Sequence, residues 1–210
     1  MKSFLAADTA AEYLTVIARD REGKTEICHL PDCAMNHSVM LLDTVEKTLE
    51  KAGMGLADCD FFACVTGAGS FTGIRIGIAT VKGFCTALSR PALPVTSFES
   101  VAYTTGRMKT LALLPAGHGY FYAAGFDEEK KQIFPPSYLS REDAAALAAR
   151  ENYTVAGHGE LPFDGALQAD MAAGFAAAVA AKSRSDDNFV PPEALQAVYV
   201  RRSQAEENRR

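Results

Sequence analysis

The chain has 210 residues, of which 48% are hydrophobic and 22% are charged, and its formal net charge is −5. This composition is typical of a globular protein with room for one large domain or two small lobes. It excludes a broad basic surface for binding nucleic acid alone, and no apolar run reaches the roughly 18 residues that a membrane span requires. Asp8 interrupts the apolar stretch where an export signal would have its core, so we expect a cytoplasmic protein.

The first part of the chain predicts an antiparallel meander followed by a helix. Short apolar runs joined by tight turns indicate three strands, at 4–8, 13–18 and 25–30. Asn36 is a residue type that caps helices and Gly53 is one that ends them, so we expect a helix between the two. Apolar residues at spacings of three and four form one stripe on this helix: Leu41, Leu42, Val45, Leu49 and Ala52.

A buried strand at 61–66 leads into a glycine-rich loop and a second helix that ends before Pro91. Glycine-rich turns before helices often cradle phosphates, which makes nucleotide binding one interpretation. Gly67, Gly69 and Gly73 are spaced G-x-G-x-x-x-G, which is one residue too long for a dinucleotide fingerprint. The Gly-Lys-Ser/Thr sequence of a Walker loop is absent as well, so the motif itself favours another role.

The second helix is unusually apolar. Between Gly73 and Leu88 its only charged residues are Arg75 and Lys82, and a helix of this kind must be covered on more than one side. Small residues such as Gly77 allow a backbone to approach closely, although glycine destabilises a helix by about 1 kcal/mol relative to alanine. Two interpretations remain open: a central buried helix in a monomer, or a helix that also forms an interface with another chain.

The rest of the chain repeats the element order of the first part. Strands are predicted at 111–114, 120–126, 131–134 and 153–156, and helices at 144–149 and 167–181. The order strand, strand, strand, helix, strand, helix therefore occurs twice, without a detectable sequence repeat. We expect a first lobe at residues 1–100, a second lobe at 101–190 and a C-terminal segment at 191–210. A basic cluster in that segment, expected to be solvated surface, comprises Arg201, Arg202, Arg209 and Arg210.

The five cysteines admit two interpretations. Two pairs share the same spacing, Cys28/Cys33 and Cys59/Cys64, and four thiolates could hold zinc. Zinc knuckles use tighter spacing, and Cys64 lies in an apolar run, which favours buried and reduced thiols.

Catalytic groups are poorly represented. The four histidines include no H-x-x-x-H pair for a metal, and we expect His37 to cap or pack against the first helix. Ser70 lacks the G-x-S-x-G context of a nucleophile.

Asp8 and Thr9 end the first strand at the place where sugar-kinase and actin-like folds hold a metal–phosphate group. Those folds place a glycine immediately afterwards, whereas this chain has Ala10.

Several motifs together resemble the TsaB (also called YeaZ) family. They are Asp8-Thr9, His37-Ser38, Gly69-Ser70-Phe71-Thr72-Gly73-Ile74-Arg75-Ile76-Gly77, Ser97-Phe98-Glu99 and Tyr199-Val200-Arg201-Arg202-Ser203-Gln204-Ala205-Glu206. The Ser-Phe-Thr-Gly-x-Arg-x-Gly run is highly specific to that family. The match is dense over residues 1–100, returns at 194–206 and is thin between.

The resemblance implies a two-lobed α/β fold of the actin, sugar-kinase and Hsp70 group, each lobe a mixed sheet with helices. It implies a non-catalytic scaffold of the bacterial complex that makes N6-threonylcarbamoyladenosine at position 37 of tRNAs reading ANN codons. The implied partners are a TsaD-like catalytic subunit, which carries the metal, and a TsaE-like ATPase. The family also implies a homodimer when the chain is alone, contact with tRNA only through the complex, and no cofactor or membrane.

The family pairs through two helices of the first lobe, which assigns functional residues here by resemblance. The implied partner or dimer interface is Leu41, Val45, Leu49, Ile74, Ile78, Val81, Cys85 and Leu88. The family's motif loop corresponds to Gly69, Ser70, Phe71, Thr72, Gly73, Arg75 and Gly77. Asp8 and Thr9 mark a possible vestigial nucleotide cleft, and no catalytic residue or metal ligand is assigned.

This chain departs from the family at three places. Ala10 and Ala68 replace a serine and a proline of the family motifs, and residues 115–119 replace an Asp-Ala-Arg turn. These changes weaken the case for a nucleotide in the cleft. The alternative function is an ATPase or phosphotransferase of the same fold acting alone. A metal-dependent peptidase is a third reading, which the missing histidine pair disfavours.

Overall fold

The computed structural model describes residues 1–200. Two expectations fall on residues 201–210 and lie outside the described residues. They are the basic cluster and most of the last family motif. None of the helices in residues 1–200 combines the length and hydropathy that crossing a membrane requires.

The chain divides into two compact units, of which the first comprises Met1–Thr96 and Ala178–Ala197. Its strands are β1 (Phe4–Asp8), β2 (Leu14–Arg19), β3 (Thr25–Leu30), β4 (Phe61–Val65) and β5 (Ala92–Val95). Its helices are α1 (His37–Ala52) and α2 (Phe71–Leu88), with 3₁₀ helices at Leu56–Asp58, Asp186–Asn188 and Pro192–Ala194. The sheet order is β3-β2-β1-β4-β5. The first three strands pair antiparallel, whereas β1, β4 and β5 are parallel.

The second unit comprises Ser97–Ala177 and, among the described residues, 198–200. Its strands are β6 (Thr110–Gly117), β7 (Tyr120–Phe126), β8 (Gln132–Ser140), β9 (Thr154–Gly157) and β10 (Leu167–Gln168). Its helices are α3 (Ser97–Ala102), α4 (Arg141–Glu151) and the first part of α5 (Met171–Lys182). The sheet order is β10-β9-β6-β7-β8.

The two sheets have the same strand order, which confirms the doubled element order that the sequence predicts. Each unit forms a three-stranded meander, a helix on the sheet and two further parallel strands. One connection differs, because α2 joins β4 to β5, whereas residues 158–166 join β9 to β10 without a helix. The helix predicted at 167–181 begins only at Met171, after the short strand β10.

The core of the first unit lies between its sheet and its helices. β1 and β4 are buried along their whole length, as expected for central strands covered on both faces. α1 packs on β2 and β3, and α2 packs on β4. Gly53 ends α1 in the left-handed conformation, as predicted. The side chain of Asn36 makes no cap hydrogen bond, however, and its backbone carbonyl accepts from the N–H of Met40 at 2.9 Å instead.

Two boundaries need correction. Residues 178–190, which the sequence analysis assigns to the second lobe, belong to the first unit. The reason is packing. The backbone of Val190 forms an antiparallel β-bridge with Ala92, the first residue of β5, and the ring centres of Phe189 and Phe61 lie 5.0 Å apart. The second unit begins at Ser97 and not at residue 101, because the helix α3, which the sequence did not predict, belongs to it. Burial of Phe98 and neighbouring apolar residues stabilises it.

Candidate functional site: the glycine loop and the outer side of the first-unit helices

The glycine-rich loop packs on the turn that follows β1. The N–H of Ser70 donates to the carbonyl oxygen of Ala10 at 2.6 Å, and the Thr9 hydroxyl donates to the carbonyl oxygen of Gly73 at 2.7 Å. A Cβ atom on Gly69 would overlap the Ala10 carbonyl oxygen, and one on Gly73 would overlap that of Thr9. These glycines therefore admit a backbone, as predicted, but it is the backbone of the same chain.

The other residues of the family motif also have local roles. A Cβ on Gly77 would lie 2.6 Å from the Thr9 hydroxyl oxygen, which extends the close contact into the second turn of α2. The Ser70 hydroxyl caps α2 by accepting from the N–H of Gly73 at 3.2 Å. The guanidinium of Arg75 lies 3.8 Å from the centre of the Phe71 ring. The motif thus determines how α2 begins and where it sits on β1.

The Asp8 carboxylate is fully buried at the same turn. It accepts hydrogen bonds from the N–H of Ala10 at 2.9 Å and from the Tyr13 hydroxyl at 3.1 Å. Burial, together with the neighbouring Asp8 charge, raises the pKa of Tyr13, so its hydroxyl remains a proton donor. His37 packs here as expected, because its Nε2 lies 2.9 Å from the Tyr13 carbonyl oxygen.

Asp8 and Thr9, where the sequence predicts a vestigial nucleotide cleft, are engaged in hydrogen bonds within the first unit. Both side chains are fully buried. A phosphate at this turn would need backbone N–H donors, but those of Ala10 and Ser70 already donate within the turn. The glycine loop occupies the approach to the turn from the α2 side.

The predicted interface residues require a correction. Seven of the eight are buried within the first unit: Leu41, Val45, Leu49, Ile74, Ile78, Val81 and Cys85. The eighth, Leu88, is half-buried. They lie in the layer between the two helices and the sheet. In the same layer, the ring centres of Phe84 on α2 and Phe62 on β4 are 5.5 Å apart. Side chains in this position have almost no surface left for a second protein.

An exposed apolar surface lies instead at the outer side of α1 and the turn that precedes it. Met35, Val39 and Leu42 are 96%, 75% and 58% exposed, and we call these three residues the outer strip. Leu42 belongs to the predicted apolar stripe but points away from the core. Val39 and Leu42 lie three residues apart in α1 and so share one side of it, whereas Met35 precedes the helix with a φ of 69°. On α2 the exposed residues include Ala79 and Gly83, which are small.

Burial of the thiols, the second of the two interpretations, holds for four of the cysteines, whereas Cys28 is half-buried. All five are free, and four are buried: Cys33, Cys59, Cys64 and Cys85. Burial raises the pKa of Cys59 to about 12 and that of Cys85 to about 11, so both remain protonated at neutral pH. Within residues 1–200, His, Cys, Asp and Glu side chains form no group of three or more that could hold a metal ion.

Two units with the same mixed-sheet order, together with the packing of the α2 N-terminus on the turn after β1 in the first unit, define an α/β protein of the actin, sugar-kinase and Hsp70 group. The family model described as "TsaD: tRNA N6-adenosine threonylcarbamoyltransferase" matches residues 30–186. The chain belongs to this family, and within it to the TsaB (YeaZ) proteins. This confirms the resemblance found in the sequence.

The relatives support this assignment. The "tRNA threonylcarbamoyladenosine biosynthesis protein TsaB" of Escherichia coli (strain K12) is 31% identical over 134 residues, which cover 62% of this chain and 57% of that protein. The protein of the same name from Haemophilus influenzae is 31% identical over 100 residues, covering 48% of this chain and 42% of that one. The chain thus spans about half the length of these curated relatives. The structure titled "YeaZ from Pseudomonas aeruginosa" has 27% identity, a TM-score of 0.76 and coverage of 95% of this chain and 100% of that one.

Proposed function

We propose that this chain is the non-catalytic partner subunit of a TsaD-like catalytic subunit. The pair would belong to the cytoplasmic machinery that makes N6-threonylcarbamoyladenosine at position 37 of tRNAs reading ANN codons. Family membership supports the pathway, since the curated relatives carry the name of threonylcarbamoyladenosine biosynthesis. The observation that carries the partner role is the outer strip.

The outer strip is suited to contact with another protein. Full burial of a Val, Leu or Met side chain is worth about 1.5–3 kcal/mol, so three such side chains can supply a large share of a binding free energy. Ala79 and Gly83 on the neighbouring helix add a surface of small side chains; a Cβ on Gly83 would meet nothing within 4 Å. Small residues let a partner helix approach closely. We therefore assign the pairing surface to the outer sides of α1 and α2 and not to their buried sides.

Pairing can be tested by placing a charge on the outer strip. Leu42→Arg and Val39→Arg should each abolish co-purification with the cognate TsaD-like subunit, because an arginine at the centre of an apolar contact is desolvated without a partner. Ile133→Arg is the matched control, since Ile133 is similarly exposed in the second unit at 47%. Circular dichroism should show folded protein in all three. Pairing that survives both outer-strip charges would contradict the proposed surface.

The non-catalytic role rests on the filled turn at Asp8. An ATPase or phosphotransferase of this fold needs donors that are free to bind phosphate, whereas the N–H groups of Ala10 and Ser70 are engaged. Titration calorimetry of the isolated chain with ATP and Mg²⁺ should show no strong binding. Strong binding with turnover would overturn the scaffold role and favour the independent enzyme.

The proposal extends to the remaining partners. A TsaE-like ATPase would dock on the assembled pair, and the chain alone would form a homodimer through the outer strip. With a net charge of −5, contact with tRNA would come through the complex. Co-expression with the other modification subunits followed by size exclusion tests this order of assembly.

A further inference from the structure

The outer side of α1 changes character along its length. Val39, Leu42 and Glu46 follow one another at spacings of three and four residues, so they lie on one side of the helix. Glu50 continues this line by one more turn, and both glutamates are exposed. The N-terminal half of the outer side is therefore apolar and belongs to the outer strip, whereas the C-terminal half is acidic.

The two glutamates are not neutralised by the chain itself. Within residues 1–200, the carboxylates of Glu46 and Glu50 form no ion pair and no hydrogen bond. Lys47, which follows Glu46 in the sequence, donates instead to the Asp43 carboxylate at 2.8 Å. The two acids lie four residues apart, where like charges repel, and Glu50 lies in the last turn, where the helix dipole favours cations. Their placement is therefore unfavourable for the helix alone.

A partner that covers the outer strip must also approach Glu46. The Cβ atoms of residues four apart on a helix are about 5–6 Å from each other, so Glu46 is the immediate neighbour of Leu42 on this side. A stable protein interface buries about 800 Å² on each partner, which is far more than one side chain. Covering a carboxylate without supplying a cation is strongly unfavourable. Pairing through the outer strip therefore requires a compensating charge on the partner.

We propose that the TsaD-like partner presents lysine or arginine side chains to Glu46 and Glu50, beside the apolar patch that covers the outer strip. This inference rests on the proposed function, since it takes the outer strip as the pairing surface, and it adds the chemistry by which that surface is recognised. The apolar half supplies affinity through burial. The acidic half selects the partner and its alignment along α1, because a surface without basic groups at this position would leave Glu46 desolvated and unpaired.

Substitutions at Glu46 distinguish a basic partner surface from an apolar one. Glu46→Gln and Glu46→Leu should each raise the dissociation constant for the purified TsaD-like subunit at least about tenfold in titration calorimetry, because both remove the charge. An apolar partner surface predicts tighter binding by Glu46→Leu instead. Glu142→Gln is the matched control and should leave the constant unchanged, since Glu142 is an exposed helical glutamate of the second unit. Binding by Glu46→Leu that equals or exceeds that of the parent chain would overturn the proposal.

The salt dependence of pairing gives a second test. The association rate of the parent chain should fall as NaCl is raised from about 0.05 to 0.5 M, because salt screens the charges that attract the partner. This dependence should flatten when Glu46→Gln and Glu50→Gln are combined. If Leu42→Arg pairs like the parent, the outer strip is not the pairing surface and both proposals fail. If Leu42→Arg abolishes pairing while the combined variant keeps the affinity and salt dependence of the parent, only the basic partner surface is contradicted.

Discussion

The hydroxyl of Thr9 donates a hydrogen bond of 2.7 Å to the carbonyl oxygen of Gly73, and this bond joins the turn after β1 to the first turn of α2. The same contact leaves no room for a side chain on Gly73. The family motif is therefore explained by packing within the chain. Its glycines hold α2 against the turn after β1.

The first prediction compares two glycines of α2. Gly73→Ala should lower the free energy of unfolding by about 3 kcal/mol, because the new Cβ overlaps the Thr9 carbonyl oxygen and forces the helix away from β1. Gly83→Ala should raise it by about 0.5–1 kcal/mol, since the position is open and alanine favours the helix. Urea unfolding followed by circular dichroism measures both. Effects of the same sign would show that Gly73 is not confined as described.

The second prediction separates the core of the helices from their outer side. Ile78→Glu and Val81→Arg should unfold the chain, because both side chains are buried against the sheet and a charge there has no partner. Leu42→Arg should leave the thermal midpoint within a few degrees of the parent protein, since this side chain faces solvent. Thermal melts by circular dichroism distinguish the two groups. If the Ile78→Glu chain is folded and fails to bind the TsaD-like subunit, the interface includes the residues described here as buried.

Most of the fold could be predicted from the sequence, because its determinants are local. Short apolar runs separated by turn residues predicted the strands of the meanders. Gly53 predicted the end of α1, and in the structure this residue has the left-handed conformation. The boundary of the second lobe was less predictable. The return of residues 178–190 to the first unit depends on Phe189 and Val190 meeting residues far away in the chain, and no local pattern carries that information.

The candidate site was only partly predictable for a related reason. Periodicity identifies that a helix has an apolar side, but it does not tell which of two apolar sides meets the sheet. Val45 lies on the buried side of α1 and Val39 on the exposed side, although both are valines on one helix. The role of Gly73 was equally hidden, because its close neighbour is Thr9, on another element.

The third prediction concerns thiol reactivity. In the native chain, a thiol reagent should modify Cys28 first, and the buried cysteines should react at least about a hundredfold more slowly, since burial raises the pKa of Cys59 and Cys85 and excludes the reagent. In denaturant all five thiols should react quickly. Mass spectrometry of the modified chain identifies the sites, and Cys28→Ser is the control. Rapid native modification of Cys59 or Cys85 would contradict the described burial.

The last prediction is a pH dependence at Asp60, which lies beside the first strand. The Arg21 guanidinium donates to its carboxylate at 2.6 Å, and the N–H and hydroxyl of Ser3 donate at 2.9 and 3.0 Å. The Arg21 hydrogen bond, aided by those from Ser3, holds the pKa of Asp60 at about 2, below its ordinary value of 3.8. A carboxylate whose folded pKa is depressed stabilises the fold above its unfolded pKa, and this contribution is lost as the pH falls.

The free energy of unfolding should therefore fall between about pH 4 and pH 2 in the parent chain. Asp60→Asn should lower it by about 1 kcal/mol at neutral pH, a modest value because Arg21 is exposed to solvent, and should flatten the acid dependence. Arg21→Gln should produce part of the same change, since the Ser3 donors remain. Urea unfolding at a series of pH values measures all three proteins. An unchanged acid slope in Asp60→Asn would show that another carboxylate controls acid unfolding.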